Sequence, residues 1–159
     1  MSHPLSPHAQ KVQVALRTLG FPHEVIELSQ TTRSAAEAAQ AIGCKVGEIA
    51  KSLIFRGRRT KKAILVIASG PNRVNEKKIG ELLSEPVKMA DVEFVRQKTG
   101  FTVGAVPPIA HRERLDTIID RDLLQFEEIW AAAGTPNAVF RLSPADLIKM
   151  TDGRIAPVK

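Results

Sequence analysis

The apolar positions change period several times along this chain, and each change marks an element. Val12, Ala15, Leu16 and Leu19 recur at helical spacing behind Ser6 and Pro7, an N-cap and first-turn proline, and Gly20 stops the run. "HEVIEL", His23 to Leu28, alternates as a short strand. Ser34 and Glu37 make a capping box for "AAEAAQAIG", a small-residue helix ended by Gly43. A brief helical turn, "VGEIA", leads into a strand from Lys51 to Arg56, and "GRRT" connects it to a second strand, Ala63 to Ala68. The second of this hairpin pair is apolar throughout, which predicts a central position with both faces covered.

"NEKKIGELL" is amphipathic, with Asn75 as its cap and Ile79, Leu82 and Leu83 inward. Val87 to Met89 is short enough only for a strand. "DVEFVRQKTG" opens on the cap residue Asp91 and closes on Gly100. "LDTIID", "FEEIWAAA" and "NAVFRL" follow as strands, the alanines of the second suiting a helix as well. Ser143, Pro144 and Asp146 open the last helix, "PADLIKMT". There is no internal repeat and no low-complexity linker. Irregular interleaving of helices and strands predicts a mixed α/β fold of the α+β kind, in one domain over residues 1–159.

Composition narrows the function classes. The chain has 159 residues, one cysteine and no apolar run near the ~20 residues of a membrane helix. Its N-terminus, "MSHPLSPHAQ", lacks the apolar core of a signal peptide, so a cytoplasmic address is expected. The net charge is +6, gathered in "RGRRTKK", "NEKKIG" and "HRERL". Such a surface favours polyanions, although a merely solvated positive face reads the same way. Tyrosine is absent, so no aromatic stripe for base stacking stands out.

No phosphate-loop, dinucleotide, zinc-protease or nucleophile-elbow signature occurs. The four histidines are scattered, so no metal site is expected, and Cys44 has no histidine partner in sequence, which leaves a spatial pairing open. Two features remain. Lys51 opens a strand whose later members are apolar. It is either a solvated strand-end lysine, the commoner case, or a cation over a pocket for a phosphate or carbonyl. The second feature is "TGFTVGAVPPIAH", Thr99 to His111. Gly100 and Gly104 permit positive φ, and Val106, Pro107 and Pro108 are held extended, with either X-Pro bond free to be cis. The result is either a tight crossover or a stiff wall that offers main-chain N–H and C=O groups.

"TTRSAAEAAQAIG", "EIAKSLIFR", "TGFTVGAVPP" and "TPNAVFRLSPADLIKMT", in this order, carry a resemblance. The chain resembles the YbaK/ProRS-associated editing-domain family, relatives of the insertion domain of bacterial prolyl-tRNA synthetase, from about Ser6 to Ile155. The specific matches are Lys51 and the G-x-x-x-P loop, Gly104 to Pro108. The resemblance implies a partly barrel-like mixed sheet surrounded by helices. It implies a cofactor-free hydrolase that deacylates mischarged tRNA in trans, removing alanine or cysteine from tRNA(Pro) or another tRNA. It implies Lys51, Gly104 and Pro108 as the catalytic set. Gly100, Ala105, Val106 and Pro107 would hold the aminoacyl group, with His111, Asn72, Arg73, Asn137 and Ala138 at the edges of the pocket. The partners implied are mischarged tRNA and an aminoacyl-tRNA synthetase, with no membrane. Two other readings compete: a non-catalytic tRNA-binding or synthetase-associated module of the same fold, and an esterase acting on a small metabolite. The positive charge favours the RNA readings over the last.

Overall fold

The computed structural model describes residues 4–30 and 32–159. Met1 to His3, in the N-terminal stretch, and Thr31, in the first motif, lie outside the described residues. The helices are α1 (Pro7–Thr18), α2 (Ala35–Ile42), α3 (Glu76–Leu83), α4 (Val92–Thr99) and α5 (Pro144–Thr151). The strands are β1 (Ile26–Glu27), β2 (Ile49–Gly57), β3 (Ala63–Ser69), β4 (Val87–Met89), β5 (Asp116–Asp120), β6 (Ile129–Ala132), β7 (Ala138–Leu142) and β8 (Arg154–Ala156). Short 3-10 turns cover Val46–Glu48 and Arg121–Gln125.

Local chemistry sets the helix starts. The side chains of Ser34, Asn75, Asp91 and Ser143 each accept from the amide three residues on. The capping box is displaced by one residue, because the Glu37 carboxylate accepts from the Arg33 amide and not from that of Ser34. Ser6 has the extended backbone of an N-cap, but its hydroxyl makes no cap bond. Its amide instead donates to the Glu27 carboxylate at 2.6 Å, which ties α1 to β1.

One mixed sheet runs β1-β7-β6-β2-β3-β5-β8, with β4 added to β2. Three of its pairs are parallel: β2 with β6, β3 with β5, and β5 with β8. Among the described residues the two ends of the path do not pair with each other, so the sheet is not a closed barrel. All seven residues of β3 are buried, as its unbroken apolar run predicts. Its side chains alternate between two cores. Leu65 and Ile67 join the larger one, with α1, α4 and α5, while Ile64, Val66 and Ala68 join the smaller one with Ile79 of α3. β2 alternates likewise, with Ala50 and Ile54 toward the larger core and Phe55 toward the smaller.

Several boundaries differ from the sequence reading. β2 begins at Ile49, so Lys51 is its third residue and does not open it. Ile49 and Ala50 are drawn into the strand by parallel pairing with Trp130 and Ala131, a contact about eighty positions away in the chain. "FEEIWAAA" is a strand only over its second half, and "HEVIEL" pairs at just two residues. β8 and the turn Arg121–Gln125 carry no pattern of their own that marks them. β8 forms because β5 offers it a parallel edge.

Candidate active site

β2 has an open stretch in its middle. One edge is bonded to β3 from Ala50 to Arg56. The other edge is bonded to β6 at Ile49 and Ala50, and to β4 from Phe55 to Gly57. Between these, Lys51, Ser52 and Leu53 have no strand partner on that second edge. The Ile54 carbonyl accepts there from the Ala90 amide at 3.0 Å. Because bonding direction alternates along a strand, the Ser52 N–H and C=O, two residues earlier, face the same edge and open into the gap. The Ser52 hydroxyl lies on the larger-core face, buried and without a hydrogen-bond partner among the described residues. Buried polar groups are nearly always paired, so the unpartnered Ser52 hydroxyl next to an open strand edge makes the gap a candidate place for a water or a ligand.

The Gly/Pro loop stands beside the chain that leaves β6. The Gly134 amide donates to the Ala105 carbonyl at 3.0 Å. Gly134 has φ +98°, and a Cβ on it would lie 2.7 Å from the His8 carbonyl oxygen. Gly104 has φ +88° and is exposed, and a Cβ there would meet open space. Ala105, Val106 and Ile109 are buried, the latter two in the larger core, and Pro107 and Pro108 are buried with them. No cis peptide occurs among the described residues, so the loop owes its shape to its glycines and to packing. The Ala105 amide donates to Thr102, whereas the Gly104 and Val106 amides have no partner among the described residues. The loop is therefore a rigid plug with an exposed glycine at its rim and unused N–H donors.

The expected residues fall into two groups. Lys51, Asn72 and Arg73 line one cavity of about 470 Å³, with Leu53, Phe55 and Met89. Gly104 to Pro108, His111 and the Gly134 turn form the other group, and Val106 packs in the core that Ala50 and Ile54 enter from β2. Lys51 and the core that takes in Val106 thus lie on opposite faces of β2. Several of the residues are fully engaged in the scaffold. Asn72 donates to Asp120 at 2.8 Å and to Asp122 at 2.7 Å, and is buried. Asn137 donates to the Leu28 carbonyl and Ala138 pairs with Glu27, so both fasten β7 to β1. Gly100, at φ +83°, is the left-handed cap of α4. His111 bonds the Pro107 carbonyl through Nε2 at 2.6 Å, closing the loop on itself. Ser52 and Gly134 were not singled out in the sequence. A serine after a lysine and a glycine after three alanines carry no signal until the strands that bound them are known.

Electrostatics fit a site of positioning and polarisation. Burial lowers the Lys51 pKa below the ordinary lysine range, and the charge of Asp120 opposes this in part. Lys51 forms no ion pair among the described residues. Burial also lowers the His111 pKa, against the raising effect of its bond to Pro107, so the ring is neutral at pH 7 and donates to that carbonyl. Burial and the Glu48 charge raise the Cys44 thiol, which is the reverse of what an activated nucleophile requires. Among the described residues, no three His, Cys, Asp or Glu side chains are grouped to hold a metal. No helix among them is long and apolar enough to cross a membrane.

The chain belongs to the aminoacyl-tRNA editing domain family, whose model matches residues 29–150. By class it is an aminoacyl-tRNA deacylase. A solved structure described as a proposed trans-editing enzyme for prolyl tRNA synthetase is 46% identical, with TM-score 0.93, over 98% of this chain and 99% of that one. EbsC of Enterococcus faecalis, a proposed Cys-tRNA(Pro)/Cys-tRNA(Cys) deacylase, is 25% identical over 82% of this chain and 79% of its own. The uncharacterised YwhH of Bacillus subtilis is 27% identical over 84% of each.

Proposed function

We propose that this chain acts in trans to remove a small, wrongly attached amino acid such as alanine or cysteine from tRNA, with tRNA(Pro) as the tRNA read. The carrying observation is the open stretch of β2 at Ser52, together with a positive-φ loop that has unused amides and packs into the same core as Ala50 and Ile54. The likeness to proteins described as acting on Cys-tRNA(Pro), or with prolyl tRNA synthetase, supports the choice of tRNA.

A synthetase pocket cannot strongly reject a smaller amino acid, since a methylene is worth only about 1–3 kcal/mol. A second, smaller site sorts by exclusion, and a wall of main chain backed by Val106, Pro107 and Pro108 suits that task. The ester is activated relative to an amide, so orientation and electrostatics suffice. Water adds to the ester carbonyl. The developing oxyanion takes the Gly104 and Val106 amides, and Lys51 anchors the polar end of the substrate from the other face. The ester C–O bond then breaks. The terminal ribose oxygen leaves with the proton the water gives up, releasing free amino acid and intact tRNA.

The test is a panel of mischarged tRNAs, with release of each amino acid followed for the purified protein. Release of alanine or cysteine from tRNA(Pro), with prolyl-tRNA(Pro) spared, is the expected result. Tight tRNA binding with no release from any member would instead make the chain a non-catalytic tRNA-binding module.

A further inference from the structure

We infer that the basic cavity at the β2–β3 hairpin holds a backbone phosphate of the RNA whose acceptor end enters the gap. This inference rests on the proposed function and extends it to a second contact site. The cavity has a volume of about 290 Å³ and is lined by Arg56, Arg58, Lys61, Lys88, Met89 and Asp91, among others. Four cations thus face one carboxylate, and that carboxylate is already engaged in capping α4. None of the four cations forms an ion pair among the described residues. Concentrating like charge without counter-charge is unfavourable in the free protein, and a phosphate relieves it.

The site is built and not merely charged. The Arg56 guanidinium lies 4.8 Å over the Phe94 ring, which fixes the side chain. Its Nε is buried and has no hydrogen-bond partner among the described residues. Guanidinium is the group best suited to paired bonds with phosphate oxygens. The hairpin tip beside it is held by Glu85, whose carboxylate accepts from the Arg59 amide at 3.0 Å, the Thr60 amide at 3.0 Å and the Thr60 hydroxyl at 2.7 Å. The Arg58 amide donates to the Pro86 carbonyl, so Arg58 starts from a fixed backbone.

Position links this cavity to the proposed chemistry. Arg56 is on the same strand as Ser52, four residues on, or roughly 13 Å at the rise of a strand. Met89, exposed and apolar, borders both this cavity and the one at Lys51. An extended single strand with its last nucleotide at the gap therefore passes Met89, where a base can pack, and reaches the four cations within a short run of nucleotides. Single-stranded RNA of the acceptor end fits this track by charge and by reach.

The experiment uses Arg58→Glu/Lys88→Glu, with reversal of the exposed Lys149 on α5, which does not line the cavity, as a single-reversal control. Affinity for uncharged tRNA is measured across a salt series, so the reading does not depend on hydrolysis. The double variant should weaken binding at least tenfold, and its slope of log affinity against log salt should fall by about 1.4, two single-strand contacts at ~0.7 each. The Lys149→Glu control should leave that slope unchanged. Hydrolysis of an aminoacyl-adenosine, which lacks the upstream phosphates, should proceed alike in the double variant and the wild type. Unchanged affinity and slope in the folded double variant would overturn the inference. So would binding of inorganic phosphate at this cavity with no loss of tRNA affinity, which would assign it to a small anion. If wild-type protein binds tRNA with this dependence but hydrolyses no charged substrate, the hydrolytic reading fails and the phosphate site stands.

Discussion

The Gly134 amide donates to the Ala105 carbonyl at 3.0 Å, and this single bond ties the Gly/Pro loop to the chain leaving β6. Both ends of the relationship are constrained. Ala105 is fully buried, and Gly134 sits at φ +98° with the His8 carbonyl where a side chain would go. The bond fixes the loop against the strand that pairs with the start of β2.

Gly134→Ala should therefore disturb the loop from outside it. A methyl 2.7 Å from backbone oxygen forces a shift, in addition to about 1 kcal/mol or more for a left-handed non-glycine residue. Thermal unfolding should fall by several degrees, and deacylation should fall further than that loss of folded protein explains. Equal, small losses in both would make the bond incidental to the site.

Lys51→Ala removes a half-buried cation that forms no ion pair among the described residues. Deacylation should drop at least tenfold, equal to about 1.4 kcal/mol of transition-state stabilisation. Fold stability should hardly change, because desolvation already disfavours the charged form. Turnover near wild type in the folded variant would make Lys51 an ordinary strand lysine.

Asn72 behaves differently. Its amide nitrogen holds the Asp120 and Asp122 carboxylates together. Asn72→Ala removes two hydrogen bonds to carboxylates, leaving the buried Asp120 Oδ2 with the Ser69 amide alone, and should cost about 1–3 kcal/mol in denaturant unfolding. A cost within error would show that water or Lys159, which approaches Asp122 at 3.6 Å, takes over the bonds.

Glu85 supplies a pH test of the hairpin tip. Hydrogen bonds from the Thr60 amide and hydroxyl hold its pKa below the ordinary carboxylate value. A carboxylate with a depressed folded pKa contributes stability above its unfolded pKa, and that contribution fades as pH falls through the folded pKa. Unfolding measured from neutral to acid pH should show Glu85→Gln losing stability relative to wild type at neutral pH, with the gap narrowing in acid. A gap that stays constant with pH would contradict the assignment.

These residues also show what the sequence could convey. The caps at Ser34, Asn75, Asp91 and Ser143 were legible because a cap and its amide lie within four residues. The central place of β3 was legible from seven apolar or small residues in a row. Gly104 was legible as a positive-φ position for the same local reason. The gap at Ser52 was not, because it exists only between two partners, β6 and β4, from elsewhere in the chain. Asn72 lines a cavity as the sequence suggested, but its hold on Asp120 and Asp122 was hidden, because those carboxylates lie 48 and 50 positions on. Lys51 was placed at a strand end because Ile49 and Ala50 become strand only by meeting β6.

Gly104→Val tests the central claim, that hydrolysis occurs where the loop's main chain meets the open edge of β2. In the free protein a Cβ at Gly104 meets open space, so the variant should fold, with about 1–2 kcal/mol of backbone strain. With substrate present, the branched side chain and the displaced amide should block the aminoacyl group. The measurement is one variant assayed twice, for deacylation rate and for tRNA affinity at fixed salt. The account predicts loss of hydrolysis with affinity essentially unchanged, since the phosphate contacts it proposes lie elsewhere. A folded Gly104→Val protein that deacylates at the wild-type rate would contradict it.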